Sequence, residues 1–339
     1  MRMRSGLSGR GVLAAAAVVL AAGVGLYFAF GGGGWLSREI APPDEAVELR
    51  HTDPALIAYD ELRAIPTGLD RPRGLAVGPR DRIYVAGDRK VRVFDKGGAE
   101  VSDFPTGVVG KCVAVGQDGK VYVGAGSSVE VHDPSGRLLA SWDSPGPKAM
   151  ICSIALGEQD VFLADDHSAS VLRCDPNGRF VGRIGRPDPN GDIPGIILRS
   201  PHFDVAVGPQ GRLWVANAGR LRVEGYTFDG RLVAAWGRAA QQIDGFNGCC
   251  NPKDLAFLPD GRFVTSEKGF PRVKVYDAAG RFVSVVAGPE SFDQAVAYLD
   301  LAVDGDGRVL VLDPQARTVR VFVPKADLPG AATAGSRSP

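Results

Sequence analysis

From about Arg71 to Lys325 apolar and polar residues alternate with a period of two, and the alternation is broken at intervals by Gly, Pro, Asn and Asp. Such a pattern predicts half-buried antiparallel strands joined by tight turns. It also repeats. Six copies of one motif begin at Gly74, Cys112, Ser153, Asp204, Asp254 and Asp300, each a small or acidic residue, an apolar pair, a Gly or Asp turn and an alternating strand. Their starts lie 38, 41, 51, 50 and 46 residues apart, the scale of a four-stranded propeller blade.

The second copy shows the unit whole: VYVGAG, SSVEVHD, the turn PSGR, then LLASW. The sixth has only three strands, LDLAV, RVLVL and TVRVFV. Its missing fourth lies at the other end of the domain, where Tyr59 to Gly68 reads YDELRAIPTG and mimics the outer strand of the first copy, AEVSDFPTG. Pairing that N-terminal strand into the last blade closes the ring and removes an exposed sheet edge. The expectation is an all-β, six-bladed β-propeller over residues 55–325.

The flanks read differently. Residues 1–11 are basic, with Arg2, Arg4 and Arg10, and residues 12–30 form a run of 19 without a charge. At about 1.5 Å per residue, that run just crosses a bilayer core of roughly 30 Å. The basic end is expected to stay in the cytoplasm, giving a single-pass inner-membrane protein with its propeller in the periplasm or outside the cell. A cleaved signal peptide fits the same apolar run, but its length and the absence of a small-x-small site favour an uncleaved signal-anchor. Residues 31–54 read as a linker and 326–339 as a disordered small-residue tail.

Charge narrows the partners. Lys and Arg total 39, as do Asp and Glu, so formal net charge is zero and nucleic acid is disfavoured. The expected partners are the membrane, through residues 12–30, and a protein or small-molecule ligand.

Aligning the copies separates packing positions from candidate chemistry. Phe94, His132, Cys174, Tyr226, Tyr276 and Phe322 share the end of the third strand, so His132 and Cys174 read as core. Gly87, Ala125, Asp165, Asn217, Glu267 and Asp313 follow the second strand, where Asp and Asn are expected to bond loop backbone. The column at the start of each inner strand is more informative, because in a propeller it converges on the central channel. Asp204, Asp254 and Asp300 supply three carboxylates there, which repel unless a cation, a basic side chain or water compensates. Arg73, Lys111 and Lys253 are nearby in sequence, and a hard cation such as calcium also suits oxygen ligands. Lys253, Lys268 and Arg272 are further candidates for holding a ligand.

Four of the five cysteines and one histidine fall on the loops of that same face: Cys112, Cys152, His202, and Cys249 with Cys250 in GFNGCCNPKD. Three readings compete: structural disulfides, a vicinal Cys249–Cys250 disulfide, and a zinc or copper site of thiolates and imidazole. The connections 182–201, 237–251 and 287–297 are long and emerge on this face, where long loops on a rigid scaffold commonly carry function. No HExxH, Walker loop or GxSxG is present.

Segments such as PHFDVAVGPQGRLWVANAGRLRVEGYTFDG and NPKDLAFLPDGRFVTSEKGFPRVKVYDAAGRF resemble the NHL-repeat family over the whole ring, Tyr59 to Lys325. The Gly-Cys-Cys-Asn-Pro element at Gly248 to Pro252 is similar to one in a bacterial subgroup. The resemblance implies the propeller fold without assigning an activity. NHL-type amidating lyases use metal-bound histidines, gluconolactonase-like propellers a channel cation, and sensor propellers only bind. With four histidines, His51 in the linker and His132 in a packing column, the chain departs from the lyase pattern. The leading expectation is an anchored binding, scaffold or sensor propeller. The alternative is a metal-dependent hydrolase or lyase, or a thiol or metal redox protein, with zinc, copper or calcium as the metal.

Overall fold

The computed structural model describes residues 51–143, 148–188 and 194–327. The chain enters through a short 3-10 turn, Pro54–Leu56, capped by the Asp53 carboxylate, and then forms β1, Tyr59–Pro66. Five antiparallel sheets follow in sequence. Blade 1 is β2 (Pro72–Gly78), β3 (Arg82–Gly87), β4 (Lys90–Phe94) and β5 (Glu100–Pro105). Blade 2 is β6 (Cys112–Val115), β7 (Val121–Ala125), β8 (Ser128–His132) and β9 (Leu138–Asp143). Blade 3 is β10 (Ile151–Leu156), β11 (Val161–Asp165), β12 (Ser170–Cys174) and β13 (Phe180–Ile184). Blade 4 is β14 (Val205–Gly208), β15 (Arg212–Asn217), β16 (Arg222–Tyr226) and β17 (Leu232–Trp236). Blade 5 is β18 (Asp254–Phe257), β19 (Phe263–Ser266), β20 (Val273–Tyr276) and β21 (Phe282–Ala287).

The sixth sheet has the order β1-β24-β23-β22, built from β22 (Asp300–Val303), β23 (Val309–Asp313), β24 (Thr318–Pro324) and the N-terminal strand. The closure read from the sequence is therefore present, and its register matches the other blades in detail. In blade 1 Phe94 pairs Glu100 and Val93 pairs Ser102, so Val101 is bulged out. In blade 6 Phe322 pairs Glu61 and Val321 pairs Arg63, so Leu62 is bulged out. A strand from the far end of the chain thus reproduces the irregularity of a local fourth strand, as a duplicated unit should.

Packing explains why a ring this large needs no single core. Six apolar clusters are present, and each draws its residues mainly from two neighbouring blades. Closure between blades 6 and 1 rests on Ile65, Leu69, Leu75, Ile83, Phe94, and Leu312. Every member of the third-strand column is at most 3% exposed, His132 and Cys174 included. His132 lies between the Glu130 carboxylate and the Gly136 carbonyl, each 3.1 Å away, which fits its reading as core.

The column after the second strand also behaves as expected. Asp165 accepts from the Met150 N–H, Asn217 from Ile197 and Glu267 from Asn247, so each pins the preceding loop. Asp313 accepts from Gln315 and Ala316. Among the described residues no helix is long and apolar enough to cross a membrane, and residues 12–30 lie outside them.

Candidate functional site: the mouth of the central channel

The inner strands surround a cavity of about 340 Å³ lined by Cys112, Cys152, Ser153, His202, Asp204 and Asp300 among others. At its mouth the first-position column does converge, and the side chains of four blades each tie one blade to the next. Ser153 Oγ accepts from Val205 N–H (3.3 Å), Asp204 Oδ2 from Leu255 (3.1 Å), Asp254 Oδ1 from Leu301 (3.1 Å) and Asp300 Oδ2 from Leu75 (2.7 Å). Blades 1 and 2 stand outside the series, because Gly74 has no side chain to offer and the Cys112 thiol bonds Gly124 O within its own blade. A Cβ on Gly74 would sit 2.8 Å from Cys112 Cα.

Those contacts leave an electrostatic problem that protonation resolves. Burial pushes the Asp204 carboxyl up to about 6, against the hydrogen bond from Ser153. Burial and the Asp204 charge push Asp300 up to about 7. Asp254 is raised well above the ordinary carboxylate range by burial and by the charges of Asp204 and Asp300. Among the described residues no group donates to Asp254 Oδ2, and burial with the neighbouring carboxylate charges favours the protonated form of this carboxyl.

His202 faces this pair. Its Nε2 is 3.7 Å from Asp254 Oδ2, buried, and without a hydrogen bond among the described residues. Burial, with the charges of Lys253 and Lys111, pushes the imidazole down to about 3, so it is neutral at ordinary pH. The residue adopts φ +75°, a left-handed conformation that a side chain disfavours. Both its backbone groups are held: the N–H donates to Asp166 (2.8 Å), and the carbonyl accepts from Lys253 Nζ. Tyr298 stacks on the ring at 4.8 Å between centroids and 20° between planes, while its hydroxyl donates to the Arg73 carbonyl (3.2 Å).

The basic candidates divide. Lys253 is 1% exposed, and its ammonium also donates to Pro201 O (2.8 Å), so it fixes the 200–202 loop. Burial and Lys268 push it down to about 8. Lys268 is half-buried and donates to Ser200 Oγ (3.0 Å). Arg272 is committed inside the fold, where it and Lys274 clamp the buried Glu267 carboxylate at 2.9 and 2.6 Å.

All five cysteines are free, so of the three competing readings neither the structural disulfides nor the vicinal Cys249–Cys250 disulfide is formed in this structure. Cys112 donates to Gly124 O (3.8 Å) and Cys152 to Phe203 O (3.2 Å). Among the described residues no group of three or more His, Cys, Asp or Glu is arranged to hold a metal ion. Cys112, Cys152, His202, Cys249 and Cys250 thus share a face without forming a coordination set. Tyr298, Ser200 and Asp166 were missed from sequence. Tyr298 had a signal, since it precedes Asp300 by two residues as His202 precedes Asp204.

No family model matches the chain, and no curated protein matches it in sequence. Solved structures do resemble it. A streptogramin B lyase superposes with a TM-score of 0.55 at 11% identity, covering 80% of this chain and 100% of the other. Virginiamycin B lyase from Staphylococcus aureus gives 0.51 at 13% identity, covering 78% and 88%. Hydrazine synthase from Kuenenia stuttgartiensis gives 0.53 at 17% identity, covering 75% and 84%. At these identities the likeness is one of fold alone, that of a β-propeller, and the six blades are counted from this chain's own sheets.

Proposed function

We propose that the protein is an extracytoplasmic binding propeller of the NHL type, anchored through residues 12–30, whose top face takes up a small ligand bearing a hydroxyl or amide at the channel mouth. The observation that carries this reading is His202 Nε2, a buried, neutral nitrogen without a partner, held in a strained backbone conformation above a polar cavity. An unpartnered buried polar atom costs about 1–3 kcal/mol, which a ligand hydrogen bond there would recover. Tyr298 braces the imidazole by stacking on it, and Asp300, which lines the cavity, can donate or accept.

A thermal-shift screen of neutral polyols, amides and lactones on the full-length chain, repeated with His202→Ala, tests the site. Compounds that stabilise the wild type and not the variant support it; a panel without a stabilising compound, or with equal shifts in both, counts against it. Fractionation of cells producing the full chain, with protease added to intact spheroplasts, tests the anchor. Recovery in the soluble fraction would remove it.

One observation favours a second reading, lyase or hydrolase chemistry at the same mouth. The Asp300 carboxyl is held up to about 7, where a group can exchange protons with substrate at neutral pH. Two of the similar structures are lyases of other proteins, which bears on this chain only as a choice of assay. Opening of a cyclic ester that is abolished by Asp300→Asn would place catalysis here.

A further inference from the structure

We propose that Cys249 and Cys250 form a redox-active dithiol on the top face, which reduces a small anionic disulfide and is itself converted to a vicinal disulfide. The two Sγ atoms are 2.9 Å apart. Cys249 is exposed and Cys250 is 4% exposed, so one thiol meets solvent while the other stands directly behind it. Behind Cys250 lies a basic pocket from two loops, in which Lys268 Nζ and Lys253 Nζ share Ser200 Oγ at 3.0 and 3.4 Å.

The segment is held in place from both sides. Asn251 Nδ2 donates to Asn247 O (2.6 Å) and Lys268 O (3.1 Å), and Lys268 N–H donates back to Asn251 Oδ1 (2.9 Å). Burial works against ionisation of Cys250, but hydrogen bonds with Cys249 and Ser200 and the Lys268 and Lys253 charges outweigh it and lower the thiol below its ordinary value. Cys112 and Cys152 are pushed the other way by burial and by Asp300 and Asp166 respectively. Cys250 is therefore the activated thiol of the pair, in a protein whose other buried thiols near the channel are pushed the opposite way. The neighbouring ammonium groups oppose a metal cation and attract an anion.

The chemistry balances without a further reagent. The Cys249 thiolate attacks one sulfur of R–S–S–R, the S–S bond breaks, and RS⁻ leaves to take up the proton that Cys249 gave to solvent. The Cys250 thiolate then attacks the Cys249 sulfur of the mixed disulfide and expels the second RS⁻, which is likewise protonated. The dithiol loses two electrons and two protons, and the disulfide becomes two thiols. Lys268 is a positioning residue that stabilises the Cys250 thiolate.

The test uses the reduced full-length chain and glutathione disulfide as the probe, with acid quenching, alkylation and mass spectrometry of the peptide spanning Gly248 to Pro252. The expected product is about 2 Da lighter, with neither cysteine alkylated. Cys250→Ser should stop at the first step and retain glutathione on Cys249. Lys268→Gln should slow oxidation about threefold to tenfold, and Lys268→Arg should restore most of the rate. Full alkylation of both cysteines after equilibration, absence of glutathione on the Cys250→Ser chain, or an unchanged rate in Lys268→Gln would overturn the proposal. Should Cys250→Ser fail to fold, the half-buried Lys268 pair of variants decides it.

Discussion

His202 Nε2 and Asp254 Oδ2 approach to 3.7 Å across the channel mouth, too far for a hydrogen bond and with no charge on the imidazole to make an ion pair. Folding places two polar atoms side by side and leaves both to a third party or a shared proton. The neutrality of His202 can be tested directly. Its ring proton resonances should show no imidazolium shift between pH 8 and about pH 4.5, only the small changes that titration of Asp204 and Asp300 transmits, because burial and the Lys253 and Lys111 charges hold it down to about 3. A full imidazolium shift with a midpoint near 6, in a spectrum assigned through His202→Gln, would show that the ring is solvated.

The carboxyl cluster predicts an unusual pH dependence. Burial first, then neighbouring carboxylate charge, raises Asp254 and Asp300, while burial raises Asp204, above an unfolded value of 3.8. The native state therefore binds more protons than the unfolded chain, and this part of the stability is present at low pH and lost as pH rises through about 6 to 7 and beyond. His202 acts in the opposite sense below about 6.5, and Lys253 and Lys274, both pushed down to about 8, do so above about 8, so the fall shows most clearly between those limits. Asp254→Asn keeps an acceptor for the Leu301 N–H and removes a buried charge. It should flatten that fall and stabilise the protein by about 1–2 kcal/mol at pH 8, read by urea denaturation.

Closure through β1 should be costly to disturb. Ile65 is buried in the cluster joining blades 6 and 1, and a Cβ on Gly98 of blade 1 would meet it at 2.8 Å. Ile65→Ala should cost about 2–4 kcal/mol. If the last blade were held by β22 to β24 alone, the denaturation midpoint would scarcely move.

Two glycines make a paired test of how closely the inner strands approach. At Gly74 an added methyl meets Cys112 Cα at 2.8 Å and the Val113 nitrogen at 2.9 Å, both backbone, so neighbouring blades must separate. Gly74→Ala should destabilise by roughly 1–3 kcal/mol. At Gly182, on the outer strand β13, the methyl meets nothing within 4 Å. There Gly182→Ala should be neutral or stabilising by up to about 1 kcal/mol. Equal effects at the two sites would contradict the packing described.

The clamp on Glu267 shows how a sequence position can mislead. Lys253, Lys268 and Arg272 read alike as basic residues near a functional face, yet Arg272 pairs with the buried Glu267 carboxylate inside the fold. Its role is decided by Glu267, five residues away across a hairpin. Sequence gave no reason to pair them, because the hairpin loop 267–272 differs from its counterparts in other blades.

Much of the fold was legible because its determinants are local and repeated. Period-two alternation, Asp and Gly turns and a three-strand last copy are all properties of segments shorter than one blade, and they specified the ring, its closure by Tyr59 to Pro66 and the buried third-strand column. Alignment of copies likewise placed Asp204, Asp254 and Asp300 at the channel, since equivalent positions in equivalent units must meet at the axis. What sequence could not supply was the partner of each side chain across blades. His202 against Asp254 and Tyr298, and Cys250 before Lys253, Lys268 and Ser200, join residues up to about a hundred positions apart on loops of unequal length. Their meeting depends on the angle each blade takes around the closed ring and on the course of three irregular connections, and neither is written in the repeat.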